Sequence, residues 1–264
     1  MNDLKITLIQ SDVFWEDSLK NLTNYRKMIG KLQEPTDMII LPEMFNTGFS
    51  MHPDRCAETM DGPAMQFLKE IASGEKCMII GSILIKEKDS FYNRLVAMHP
   101  DGSFQSYDKR HLFILTDEYK VMSGGSVRII INWKGWKILP LICYDLRFPV
   151  WSRNSWCNGE YEYDLLVYPS NWPASRSYIF KSLLVARAIE NVAFATGVNR
   201  VGQDGEGTLY MGESMVVDPK GKIITNGGKE KNSIFSAVLS ASELKDFRGS
   251  FTIGCGWDHF KIEI

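Results

Sequence analysis

The period of apolar positions changes several times along the chain, and each change marks an element. Residues 5–10 alternate and are rich in Ile and Leu, which predicts a strand. Between residues 17 and 32 the apolar positions fall at Leu19, Leu22, Tyr25, Met28, Ile29 and Leu32, a helical period. Residues 38–41 form a short continuous apolar run, the mark of a strand buried on both faces. The run stops at Pro42-Glu43 and opens into a loop with Asn46, Gly48 and Pro53. A second helix follows over 62–72, with Met65, Leu68, Ile71 and Ala72 on one side, and a second buried strand over 77–85.

The pattern then turns to hairpins. Runs at 93–98 and 104–107 flank His99-Pro100-Asp101-Gly102, runs at 127–132 and 136–142 flank Lys134-Gly135, and runs at 211–217 and 222–225 flank Asp218-Pro219-Lys220-Gly221. Between the first two lies an irregular segment, 108–126, holding Lys109, His111, Asp117, Glu118 and Gly124-Gly125; segments of that length inside compact domains usually carry function. Further on come a helix near Trp151, a strand over 164–168 ending at Pro169-Ser170-Asn171-Trp172-Pro173, a helix over 177–190 and a strand over 192–198. A last strand at 233–239 leads to a short helix capped at Ser240 or Ser242, with Glu243 nearby. Alternating strands and helices with hairpins among them predict an α/β chain with mixed sheets. No linker, low-complexity run or repeat divides it, so one domain is expected over 1–264.

Composition narrows the classes. The 264 residues are 44% hydrophobic and 23% charged, enough for a sizeable core. A formal net charge of −2 gives no footprint for nucleic acid or an anionic membrane. No run of about 18 apolar residues predicts a membrane span, and the first residues lack the parts of a signal peptide, so a cytoplasmic location is expected. The five cysteines are an odd number without a CxxC pair, which fits a reducing compartment. The four histidines have no metal-motif spacing, so neither a metal nor another cofactor is expected.

Candidate chemistry gathers where apolar runs give way. In residues 135–149, GWKILPLICYDLRFP, an apolar run reaches Cys143 and turns polar at once. A strand end fixes a thiol and leaves the following N–H groups free for an anion, although Cys143 alone reads equally as a small core hydrophobe. Glu43 stands after the run at 38–41 and Lys109 after the first hairpin; alone, Glu43 also reads as a loop salt-bridge partner and Lys109 as a solvated surface charge. Together they make a set for acyl transfer: thiol nucleophile, carboxylate acid–base and lysine for the oxyanion.

LPEMF at 41–45, YDKRHLF at 107–113 and LICYDLRFP at 141–149 resemble, in that order, the three catalytic signatures of the nitrilase (carbon–nitrogen hydrolase) superfamily. SNWP at 170–173, ARAIEN at 186–191, NRVG at 199–202 and GES at 212–214 are similar to further segments of that family. The resemblance implies a four-layer α-β-β-α sandwich with two mixed sheets that pairs as a homodimer. It implies Glu43 as general base, Lys109 as oxyanion stabiliser and Cys143 as nucleophile, with Glu118 as the second glutamate after the lysine. The N–H of Tyr144 would face the oxyanion. Within the superfamily the run CYDLRFPVW is most similar to the bacterial ω-amidases, whose substrates are the small amides 2-oxoglutaramate and 2-oxosuccinamate; N-carbamoyl amino acids, nitriles and other aliphatic amides are the neighbouring substrates. A binding or scaffold protein with a vestigial triad is the reading from another class. For the substrate carboxylate Arg147 is the candidate, its alternative being an ion pair with Asp145 or Glu190. Trp172 and Phe45 are candidates to wall the pocket, or else core residues.

Overall fold

The computed structural model describes residues 1–263. Two six-stranded mixed sheets form its middle. In the first, the strands lie in the order Ser233–Leu239, Leu4–Gln10, Met38–Ile40, Met78–Glu87, Ser90–Met98 and Phe104–Asp108. In the second the order is Ile131–Trp133, Trp136–Pro140, Leu165–Ser170, Phe194–Asn199, Met215–Val217 and Ile223–Asn226. Both orders carry the same run of pairings: antiparallel, parallel, parallel, antiparallel, antiparallel. The repetition that the sequence lacks is present in the topology.

Burial on both faces explains why the strands read as continuous apolar runs. In the first sheet, Leu4, Ile6, Leu8, Met38, Ile40 and Met78 point to the core between the sheets. Their neighbours Ile9, Ile39 and Ile79 point the other way, under Leu22, Tyr25 and Ile29 of the Ser18–Ile29 helix and Phe67, Leu68 and Ile71 of the Pro63–Glu75 helix. On the far side of the second sheet the Ser177–Asn191 helix presses Phe180 and Leu184 onto the backbone at Gly197, where an added Cβ would lie 2.6 and 2.7 Å from them. The result is the expected α-β-β-α layering. Local chemistry sets the helix starts: Asp17 accepts from the Lys20 N–H at 3.0 Å and Ser240 from the Glu243 N–H at 3.3 Å.

Three expectations need correction. The strand expected over 127–132 is confined to Ile131–Trp133. Upstream, Arg128 anchors the chain by donating from Nη1 to the carbonyls of Trp151 and Arg153, so side-chain bonds replace a ladder. The strand expected over 211–217 is split, because Gly212 and Glu213 both have positive φ and turn a corner between Leu209–Met211 and Met215–Val217. Leu209–Met211 pairs instead with Val201–Gln203 in a separate ribbon. Finally, Met78–Glu87 and Ser90–Met98 form a tight hairpin that was not anticipated. Its turn residues are Lys88 and Asp89, with Lys88 at φ 55°, so the Asn-Gly type of signal is absent.

Among the described residues no helix is long and apolar enough to cross a membrane.

Candidate active site

The strands that run parallel end on one side of the molecule, and their carboxyl ends carry the polar residues. Pro42 ends the Met38–Ile40 strand, and the chain turns at Met44, whose φ is 45° and whose N–H is held by Ser82 Oγ at 2.9 Å. That turn points Glu43 inward, fully buried. Lys109 follows the Phe104–Asp108 strand and continues its pairing through its N–H to the Asn93 carbonyl at 3.0 Å. Gly125 closes over it, donating to the Lys109 carbonyl at 2.9 Å; a Cβ there would collide with the Asp108 carbonyl oxygen. Glu118 opens a one-turn helix, Glu118–Val121, within the irregular segment and is fully buried.

Lys109 Nζ donates to Glu43 Oε1 at 2.9 Å and to both oxygens of Glu118 at 2.9 Å. Asn93 Nδ2 donates to Glu43 Oε1 at 2.8 Å and to Glu118 Oε1 at 3.3 Å. The Phe113 N–H donates to Glu118 Oε2 at 2.6 Å. From the other sheet, Asn171 Nδ2 donates to the Glu43 carbonyl at 2.9 Å and to Glu43 Oε2 at 3.3 Å. One ammonium thus holds two buried carboxylates, each with further donors.

Cys143 begins a tight turn, Cys143–Arg147, with φ at 41°. Asp145 fixes that turn and joins it to the lysine segment. Its Oδ2 accepts from the Ile142 N–H at 3.0 Å and the Tyr107 hydroxyl at 2.8 Å, and its Oδ1 from the His111 N–H at 3.1 Å, with His111 Nδ1 at 2.7 Å. Asp145, Asn93 and Asn171 had no organising role in the sequence reading. The signal for Asn93 was a polar side chain at the start of a buried strand; for Asn171 it was a place at a strand end matching that of Glu43.

Electrostatics set the resting proton. Burial pushes the Cys143 thiol well above its ordinary range, the Glu43 charge adds to this, and Lys109 and the Asn171 N–H oppose it without prevailing. The buried, carboxylate-flanked sulfur therefore favours the thiol form. Burial works against the charge on Lys109, but Glu118 and Glu43 outweigh it and raise its pKa. Burial raises Glu118, partly offset by Lys109.

Cys143 and Lys109 lie on a cavity of about 340 Å³, walled by Phe49, Phe113, Tyr144 and Trp172. Trp172, a candidate wall of the pocket, is on that cavity, and Tyr144, named for its N–H, lines it too. Phe45 does not: it is fully buried between Tyr25 at 5.6 Å and Phe67 at 5.9 Å, on the helical side of the first sheet. In a regular strand Glu43 and Phe45 would share a face; the positive φ of Met44 between them breaks the alternation. Arg147 lines the cavity with its guanidinium 5.0 Å from the Trp172 ring centroid. It makes neither of the ion pairs considered for it. Asp145 already has its own donors, and Glu190 accepts from Arg187 at 2.9 Å. Among the described residues no cluster of three or more His, Cys, Asp or Glu side chains could hold a metal ion.

A thiol, a carboxylate within reach of it and a shared ammonium can carry out acyl transfer through a covalent thioester. Comparison with known proteins agrees in kind. The sequence pattern of the carbon–nitrogen hydrolase family matches residues 5–248. The ω-amidase YafV of Escherichia coli is 40% identical over 262 residues, 99% of this chain and all of that protein. A 2-oxoglutaramate amidase of Bacillus subtilis is 31% identical, covering 94% of this chain and 95% of its own. Among solved structures, a CN-hydrolase superfamily protein from Xanthomonas campestris with an arsenic adduct in its active site superposes with a TM-score of 0.97, at 38% identity and full coverage of both chains.

Proposed function

The chain belongs to the carbon–nitrogen hydrolase family, and from that premise we propose that it is an ω-amidase. It converts 2-oxoglutaramate or 2-oxosuccinamate to the 2-oxo diacid and ammonia. The observation that carries this reading is the buried Glu43–Lys109–Glu118 cluster beside Cys143, in a small cavity that also presents the Arg147 guanidinium, which has no ion pair among the described residues. In this reading Glu43 takes the Cys143 proton as the sulfur attacks the amide carbonyl carbon. The carbonyl π pair moves to oxygen, which Lys109 and the Tyr144 N–H stabilise. Protonated Glu43 gives its proton to the nitrogen, the C–N bond breaks and ammonia leaves. Water then enters; Glu43 takes its proton while the oxygen attacks the thioester, and collapse returns the proton to sulfur. Glu118 keeps Lys109 charged while Glu43 cycles between its two forms. Arg147 binds the substrate carboxylate.

Ammonia release from 2-oxoglutaramate, glutamine, an N-carbamoyl amino acid and a simple nitrile, measured side by side, tests the proposal. The highest kcat/KM is expected for 2-oxoglutaramate, and none of the activity should survive Cys143→Ala. Turnover by that variant near the parental rate would overturn the mechanism, and preference for another member of the panel would overturn the substrate. We further propose that the enzyme works in the cytoplasm as a homodimer.

A further inference from the structure

A second guanidinium faces the same cavity. Arg176 ends the short turn Ala174–Arg176, just past Trp172, and its guanidinium lies 5.1 Å from the Phe113 ring centroid. Phe113 meets Tyr144, the residue after Cys143, edge-on at 5.0 Å. The two arginines therefore rest on aromatic rings from two walls of the cavity that holds the thiol, Arg147 on Trp172 and Arg176 on Phe113. Both residues are only partly exposed, yet neither has an ion pair among the described residues, whereas Arg187 is held by Glu190 and Arg200 by Asp12. Two acidic residues line the cavity: Glu206 is exposed and pairs with neither arginine, and Asp204 is occupied by its own loop. Its Oδ1 accepts from the N–H groups of Glu206 and Thr208, and its Oδ2 from the Tyr210 hydroxyl.

Two donor forks without acceptors in one small cavity call for more than one oxygen. A guanidinium has five N–H donors and no acceptor. It suits a carboxylate or a carbonyl oxygen and repels an ammonium group. Resting on the amidase reading above, we propose that Arg176 is a specificity-determining residue that contacts the 2-oxo oxygen of the substrate while Arg147 holds the adjacent carboxylate. The pair would then select amides of 2-oxo acids over amides of 2-amino acids of the same length.

Three five-carbon substrates separate this contact from general attraction: 2-oxoglutaramate, glutaramate, which bears no substituent at carbon 2, and glutamine. The first two carry the same single carboxylate and the same net charge, so loss of a distant cation affects them alike. Arg176→Met keeps the cover over Phe113 and removes the fork. We expect it to lower kcat/KM on 2-oxoglutaramate by about ten- to a hundredfold, the scale of a charge-assisted hydrogen bond. Glutaramate should change less than about threefold on the same reasoning, and the preference for 2-oxoglutaramate over glutamine should collapse. Arg176→Lys keeps the charge without the fork; it should show the same selective loss and serves as the test if the Met variant melts below the parent. Equal losses on 2-oxoglutaramate and glutaramate, or none on either, would overturn the assignment. Failure of the amidase reading looks different: the parent would release ammonia from none of the three, or Cys143→Ala would still turn over.

Discussion

Cys143 occupies a backbone region, φ 41°, that residues with a Cβ seldom adopt, at a cost of about 1–3 kcal/mol. Asp145 holds it there, and the same turn exposes the sulfur to the cavity. The buried thiol has a pH consequence. Its folded pKa lies above its unfolded value of about 8.5, so as pH rises the unfolded chain loses the proton first. The stability contributed by the protonated thiol is complete below that value and is lost as pH climbs through it. Between pH 7.5 and 9.5 the parent should lose more unfolding free energy than Cys143→Ala, by on the order of 1 kcal/mol. Urea melts of both proteins under reductant check this; parallel pH profiles would show that the folded thiol ionises normally. Glu43→Gln should leave the fold standing, since Lys109 keeps Glu118 as counter-charge. Its rate should fall by at least about 10², the usual scale for a positioned acid–base group. A rate near that of the parent would place the base elsewhere, with Glu118 the first candidate. Glu43, Lys109 and Cys143 were legible because short apolar runs point at them, and Glu118 only through the family resemblance. Asp145 and Asn171 were not, because their partners lie 34–38 and 128 residues away and a sequence shows no such distance.

At the scale of elements, packing decided what periodicity could not. Runs with a clear 3.6 period or an apolar block emerged as expected; the misplaced strands were those whose ends depend on a positive φ or on a side chain that replaces the ladder. Gly197 illustrates how closely layers meet. An added Cβ would press on Phe180 and Leu184, and Gly197→Ala should cost about 1–3 kcal/mol by overpacking. A melting temperature unchanged from the parent would mean that the helix yields freely. The reverse case is Lys76, the exposed C-cap of the Pro63–Glu75 helix at φ 53°. Here glycine relieves the left-handed strain and no side-chain packing is lost, so Lys76→Gly should stabilise by about 0.5–1 kcal/mol. A destabilised variant in the same chemical melts would contradict the assigned cap.

The whole molecule brings the site together from two sheets: Glu43, Lys109 and Glu118 come from the side of the first, Cys143, Arg147, Asn171 and Trp172 from the second. The sequence could suggest the class of fold but not the matched order of pairings, because strand neighbours such as Leu4–Gln10 and Ser233–Leu239 stand at opposite ends of the chain. The outermost layer bears on the proposed pairing. Along the Ser177–Asn191 helix, Phe180, Leu184 and Ala188 face the second sheet. On the opposite side Tyr178 is 82% exposed and Ile189 is 50% exposed. They are three turns apart on one stripe, with partly buried Val185 between them. On the neighbouring short helix Pro149–Ser152, Val150 is 54% exposed. A two-fold pair would bring the same stripe together from both copies and cover these side chains. Sedimentation at micromolar concentration should then show two chains per particle. Tyr178→Asp should give one, because a charge buried in such an interface has no partner, while the helix content and the melting of the separated chain remain those of a folded protein. A parent that sediments as a single chain would rule the pair out, and a Tyr178→Asp protein that still sediments as two would move the interface to another face.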